Sequence, residues 1–191
     1  MKKTEAMTDK RIAILVPESF YCAQLSEVLS MLYWSTKKYD IFSPQELVVS
    51  EEGLTVRRTK NPREFSLARY DSLLVIDTAD IDTAAEDSGI TAFLRCFNPE
   101  EHFVAAAGSA PLLLLKAGII EGKHFSAGCD SSDFERLGIT EEQQKGFVEP
   151  DELDEEKMVI ADGRLLTGSS KRYRGFIMRL CALMDLELDM E

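Results

Sequence analysis

No stretch of this 191-residue chain is apolar for anything near the ~20 residues needed to cross a bilayer. Histidine occurs only twice and cysteine four times, with no CxxC spacing among Cys22, Cys96, Cys129 and Cys181. That poverty argues against a zinc or iron–sulfur site. The N-terminus, MKKTEAMTDK, lacks the apolar stretch of a secretion signal and reads with residues 1–10 as a loose polar tail. Positive charge is also short: 22 Lys and Arg against 34 Asp and Glu give a net charge of -12. Like charge repels a phosphate backbone and an anionic membrane alike, so neither is expected as a partner. Unpaired thiols without a leader point to a cytoplasmic protein.

What is present suits one domain over residues 11–188. RIAILVP (11–17), SLLVI (72–76) and HFVAAA (102–107) are near-continuous apolar runs, as expected of parallel strands covered on both faces. YDIFS (39–43) is another strand, and LVVS with LTVRR, split by Glu51-Glu52-Gly53, reads as a hairpin. Gly122 to Ala127 is expected to add a short strand, and MVIADGRLLTG (158–168) two strands joined at Asp162-Gly163. Helical spacing follows a Ser19 cap through about Ser35. It recurs in the second half of 80–97, after Pro111, in SSDFERLG and over 171–188. Lys171 and Arg172 would sit against the dipole of that last helix, so they are either overridden by tertiary contacts or a patch for an anion. The acidic stretch 149–157 reads as a solvated loop without the oxygen spacing of a calcium site. The alternation gives an α/β fold, a three-layer sandwich around a mostly parallel sheet with one small hairpin.

In such sheets ligands bind beyond the carboxyl ends of the strands, here the loops 17–24, 76–80, 108–110 and 127–130. The most distinctive stretch is VAAAGSAPLLLLKAGIIEGK (104–123): small apolar strand, tight Gly108-Ser109-Ala110 turn, then a Pro-initiated helix. This is the shape of a nucleophile elbow, with glycine at its tip.

That stretch is similar to the VAAICHGPxLLAKAGLLxGR of the ThiJ/PfpI family, the Parkinson-disease-protein group of class I glutamine-amidotransferase-like folds. YDSLLVIDT resembles the family's YDALVVPGG, GLTVRRT its GLTVTPD, and MVIADGRLLTGSS its VVVDGNLITSRG. The four matches run in order over about 11–186. The resemblance implies a flavodoxin-like sandwich, a homodimer, and a pocket whose parts fall on named positions. The nucleophilic cysteine falls on Gly108, the histidine after it on Ser109, and the glutamate after the first strand on Gln24. The paired glycines of the oxyanion site fall on Asp77 and Thr78, and a threonine–histidine–proline motif near Gly128 and Cys129. Glycine offers no nucleophile and glutamine no exchangeable proton. A carboxylate at position 77 would oppose an oxyanion.

The expectation is therefore a non-catalytic member that binds a small polar metabolite or a protein partner through Gln24, Asp77, Thr78, Gly108, Ser109, Gly128 and Cys129, with no metal or other cofactor. Tyr21, Asp80 and Asp130 add polar groups at the same edge, although solvated loops would account for them equally. The alternative is a hydrolase or lyase with a relocated nucleophile: Ser109, Asp77 or Cys22, the last placed to draw on a helix N-terminus. Against the serine stands its plainer use as the cap of the helix that Pro111 opens.

Overall fold

The computed structural model describes residues 10–35, 37–151, 158–170 and 173–186. The strands are β1 (Arg11–Leu15), β2 (Tyr39–Phe42), β3 (Leu47–Val49), β4 (Thr55–Arg57), β5 (Tyr70–Val75), β6 (Phe103–Ala107), β7 (Val159–Asp162) and β8 (Leu165–Gly168). The helices are α1 (Cys22–Ser35), α2 (Ile81–Glu86), α3 (Ser88–Leu94), α4 (Pro111–Lys116), α5 (Ser131–Arg136) and α6 (Tyr173–Leu183). Six strands form one sheet in the order β2-β1-β5-β6-β8-β7, while β3 and β4 pair separately as an antiparallel hairpin. With the hairpin and the antiparallel edge strand β7 set aside, the order reads 2-1-3-4-5, that of a flavodoxin-like sheet.

Side-chain alternation along the strands divides the core in two. Ala13, Leu15, Leu73, Val75, Val104 and Ala106 face α2 to α5, with Phe42, Phe93 and Phe97. Ile12, Ile14, Leu74, Ile76, Ala105 and Ala107 face α1 and α6. Both faces are covered, which is why the strand sequences are continuous apolar runs. Phe65 fastens the connector before β5 by stacking on Tyr70 and meeting Phe42, Phe93 and Phe97 edge-on or tilted.

Several expectations change. Residues 122–127 form no strand; only Phe125 makes an isolated bridge, to Phe147. The free edge of β6 is taken by β8, in register Val104 with Leu165 to Ala107 with Gly168, so this segment has no place beside β6 in the main sheet. The 80–97 segment is helical in both halves, broken at Asp87, whose Oδ1 accepts from Gly89 and Ile90 N–H at 2.7 and 3.0 Å and starts α3 anew. Ser19 caps nothing. It adopts φ +53°, pinned by its N–H to Val49 O and its carbonyl to Ala79 N–H, and α1 begins at Cys22. The tail 1–9, the acidic residues 152–157, and Lys171, Arg172, Glu187 and Leu188 lie outside the described residues.

Candidate functional site

All four loops chosen by the carboxyl-end rule converge. Tyr21 N–H donates to Asp77 O at 3.1 Å, and Gly128 N–H to Gly108 O at 2.7 Å. Thr78 Oγ1 donates to Glu18 O at 2.6 Å, and Phe20 bridges both Ser50 and Thr78. The hairpin thus lies over the 17–21 loop, which in turn lies on 76–80, beside the elbow.

At the elbow, Gly108 has φ +70°, a conformation open to glycine and costly for other residues. Its N–H donates to Gly168 O at 2.8 Å, and Leu112 N–H closes the turn on Ser109 O at 2.9 Å. The space above the tip is filled. A Cβ built on Gly108 would overlap the Asp77 carboxyl group, and even Oδ1, the farthest of its three atoms, would stand only 2.8 Å away. The Asp77 carboxyl group as placed and the positive φ together disfavour a side chain at this position.

The carboxylate is held by the turn's own donors. Oδ1 accepts from Ser109 N–H at 2.8 Å, Ser109 Oγ–H at 2.7 Å and Thr78 N–H at 3.0 Å. Burial pushes the Asp77 pKa up, and these bonds, with a contribution from Ala110 N–H, pull partly the other way. Gln24 uses its side-chain oxygen to accept from Asp77 N–H at 3.1 Å, so it fixes the backbone that carries the carboxylate. Exposures of 5% for Gln24, 4% for Asp77 and 3% for Thr78 put all three out of reach of solvent. Gly108 is buried too, Ser109 and Cys129 are half-buried, and Gly128 is exposed.

The expected set therefore splits. Gln24, Asp77, Thr78, Gly108 and Ser109 form a closed hydrogen-bonded knot. Gly128 and Cys129 instead line an open cavity of about 380 Å³, with Asp130, Asp133, Glu149, Met158 and Ser170 among its other walls. Ser109 does not cap α4, whose N-cap is Ala110 without a side-chain bond, because its hydroxyl is committed to Asp77. The two histidines stand at the far edge of the sheet: His102 precedes β6 and bonds Asn98, and His124 bonds Asp162.

Neither candidate thiol is activated. Glu52, from the hairpin turn, places its carboxylate on Cys22 N–H at 3.0 and 3.3 Å and takes the helix terminus that the thiol was expected to use. Partial burial and then the Glu52 charge push the Cys22 pKa up. Burial, with Asp133 and Asp130, pushes Cys129 to about 12. Tyr21 is raised by burial first and by Asp77, Glu51 and Glu52 after it. The sequence reading missed Glu52, which a hairpin turn brings to a helix start from 30 positions away. It also missed Ser169 and Ser170, although they follow the C-terminal end of β8 and the carboxyl-end rule points at them.

The DJ-1/PfpI family model matches residues 10–182. Among solved structures, a DJ-1 superfamily protein of Agrobacterium tumefaciens superposes with a TM-score of 0.77 at 14% identity, covering 93% of this chain and 91% of the other. A ThiJ/PfpI domain protein of Brachyspira murdochii gives 0.75 at 14% identity, over 92% and 98%. Drosophila melanogaster DJ-1beta gives 0.73 at 16% identity, over 93% and 90%. No curated protein sequence matches the chain significantly. A family model spanning almost the whole chain, on a sheet whose strand order and elbow agree with it, places this protein in the DJ-1/PfpI family.

Proposed function

We propose that this chain is a binding protein that has given up the covalent chemistry its scaffold can support. The observation that carries this reading is the Asp77 carboxylate lying where a side chain at the elbow tip would stand, bonded to Ser109 and Thr78 N–H. Donors that could stabilise an incoming oxyanion already hold an anion. With glycine at 108 there is no nucleophile, and both histidines lie at the other end of the sheet. The ligand site of this reading is the open cavity beside the knot. Its roughly 380 Å³ suits a small metabolite, and its Asp130, Asp133 and Glu149 favour a polar molecule carrying an amine or other cation.

The test has two arms. Purified protein is assayed with glyoxal-type, peptide and amide substrates, and should show no turnover. Activity abolished by Ser109→Ala or Cys22→Ala would overturn the reading. A metabolite library is then screened by thermal shift, and hits should weaken in Glu149→Lys, which reverses one charge of the cavity wall.

One observation favours a second reading. The 2.7 Å bond from Ser109 Oγ to Asp77 Oδ1 pairs a hydroxyl with a carboxylate whose proton affinity is raised, so Asp77 could act as base for a serine nucleophile. A fluorophosphonate probe forming an adduct at Ser109 would support it. The half-buried position of that hydroxyl and its commitment to the knot weigh the other way.

The reading also takes the chain as a cytoplasmic homodimer. Tyr33, Trp34, Leu47, Val49 and Leu54 are exposed large apolar side chains, and all lie on α1 or the hairpin and its turn. Tyr33, Trp34 and Leu54 of this set line an apolar groove of about 400 Å³ together with Leu25, Leu29 and Val56 among others. A second copy of the same face is the occupant that a two-fold contact requires.

A further inference from the structure

At the opposite end of the sheet lies a feature that this reading does not use. The parallel pairing of β1 with β2 and β5 brings three strand starts side by side: Ile12 opposite Tyr39, and Arg11 opposite Tyr70. In each case a basic residue stands at or just before the start: Lys10-Arg11, Lys38 and Arg69. Together with Ala68 these residues line a cavity of about 430 Å³ with four cationic side chains and no carboxylate in its wall. In a chain with a net charge of -12, such a wall is not what random surface composition provides.

The nearest acids are already engaged. Asp40 is 6% exposed and takes the Arg11 guanidinium at 2.5 and 3.0 Å, together with the Tyr70 hydroxyl at 2.8 Å. Asp71 takes Lys37 at 2.8 Å. The Asp40 pair anchors Arg11 at the cavity and gives it a defined orientation. Lys38 has an interaction of its own. Lys10 and Arg69 are exposed and form no ion pair among the described residues.

We propose that this N-terminal edge is a second binding site, for a small anion bearing phosphoryl groups, held by Lys10, Arg11, Lys38 and Arg69. Arg69 offers paired N–H donors that match phosphoryl oxygens, Arg11 adds the N–H groups it does not give to Asp40 and Tyr39 O, and the lysines add compact charge. The size of the ligand follows from the electrostatics. Fields are screened over about 8 Å at physiological ionic strength, so a small anion in the cavity feels the local cations. An extended polyanion would also run over the acidic remainder of the surface and be repelled. The site is separate from the elbow, so either proposal can fail without the other.

The experiment is a calorimetric titration of the full 191-residue chain with sodium pyrophosphate at low salt, beside inorganic phosphate and a single-stranded RNA oligonucleotide. Pyrophosphate should bind saturably, more tightly than phosphate, and more weakly as sodium chloride is added. Lys10→Gln/Arg69→Gln should weaken it about tenfold through the lost charged hydrogen bonds. Circular dichroism of that variant shows whether it is folded; should it not be, Ala68→Trp, which fills the cavity from an exposed position, takes its place. Absence of saturable pyrophosphate binding would overturn the proposal, as would undiminished binding by the folded variant. Tighter binding of the RNA with the same dependence on Lys10 and Arg69 would overturn the small-ligand assignment.

Discussion

A carboxylate buried among backbone amides is stabilised by the bonds it accepts and destabilised by the water it loses, and at Asp77 the second effect is the larger. Its folded pKa therefore lies above the value of about 3.9 it has unfolded. Between the two values the folded state binds the extra proton, so this residue's contribution to stability falls as pH rises through its folded pKa. Asp77→Asn keeps an oxygen acceptor without the charge. The melting temperature of the variant relative to the parent should climb from acid to neutral pH, and a difference independent of pH would contradict the burial argument. The same carboxyl group, where it stands, occupies the space a side chain at 108 would take. Gly108→Cys should destabilise the fold by about 2–4 kcal/mol in urea unfolding, from overlap with Asp77 and from the positive φ. Adding Asp77→Gly should return about 1–3 kcal/mol of that as a favourable coupling. Purely additive effects would show that the two positions do not compete for one space.

Between elements, the hairpin does for α1 what a local cap does elsewhere. Glu52 meets the first helical N–H, and that bond lowers its own pKa first among several causes. A depressed carboxylate pKa contributes stability above the unfolded value near 4.3, lost as pH falls through the folded one. Glu52→Gln should remove that acid-sensitive contribution and release Cys22 from its main charged neighbour. Maleimide labelling followed by mass spectrometry should find Cys96, the exposed thiol, modified first in the parent protein. In Glu52→Gln, labelling at Cys22 should become faster at neutral pH. An unchanged rate would mean that the hairpin does not govern this thiol.

For the whole molecule, five of the six exposed large apolar side chains among the described residues lie on α1 or the hairpin and its turn, the sixth being Met178 on α6. If the α1 and hairpin face joins two copies, light scattering after size exclusion should give the mass of two 21.5 kDa chains. Trp34→Asp together with Leu54→Asp should then shift the protein to a monomer without loss of helical content. A monomeric parent protein would remove the homodimer from the reading. The two-sided core makes such a variant tolerable, because these residues lie outside both clusters.

The amino-acid sequence by itself determined the layers. Apolar runs at 11–17, 72–76 and 102–107, with helical spacing between them, leave little besides a parallel sheet covered on both faces, because period and length are local properties. The Gly108-Ser109-Ala110 turn and the site loops were legible for the same reason. Pairing was not local. That β8 occupies the edge of β6, and so denies 122–127 a strand, depends on which of two segments wins one ladder. That Ser109 gives its hydroxyl to Asp77 rather than to its own helix depends on a residue 32 positions away, and the cap on α1 on one 30 positions away. Gly108 was read as the loss of a nucleophile. Only the tertiary structure shows that an aspartate just beyond the neighbouring strand fills the space, because only folding brings the loop after β5 within reach of the turn after β6.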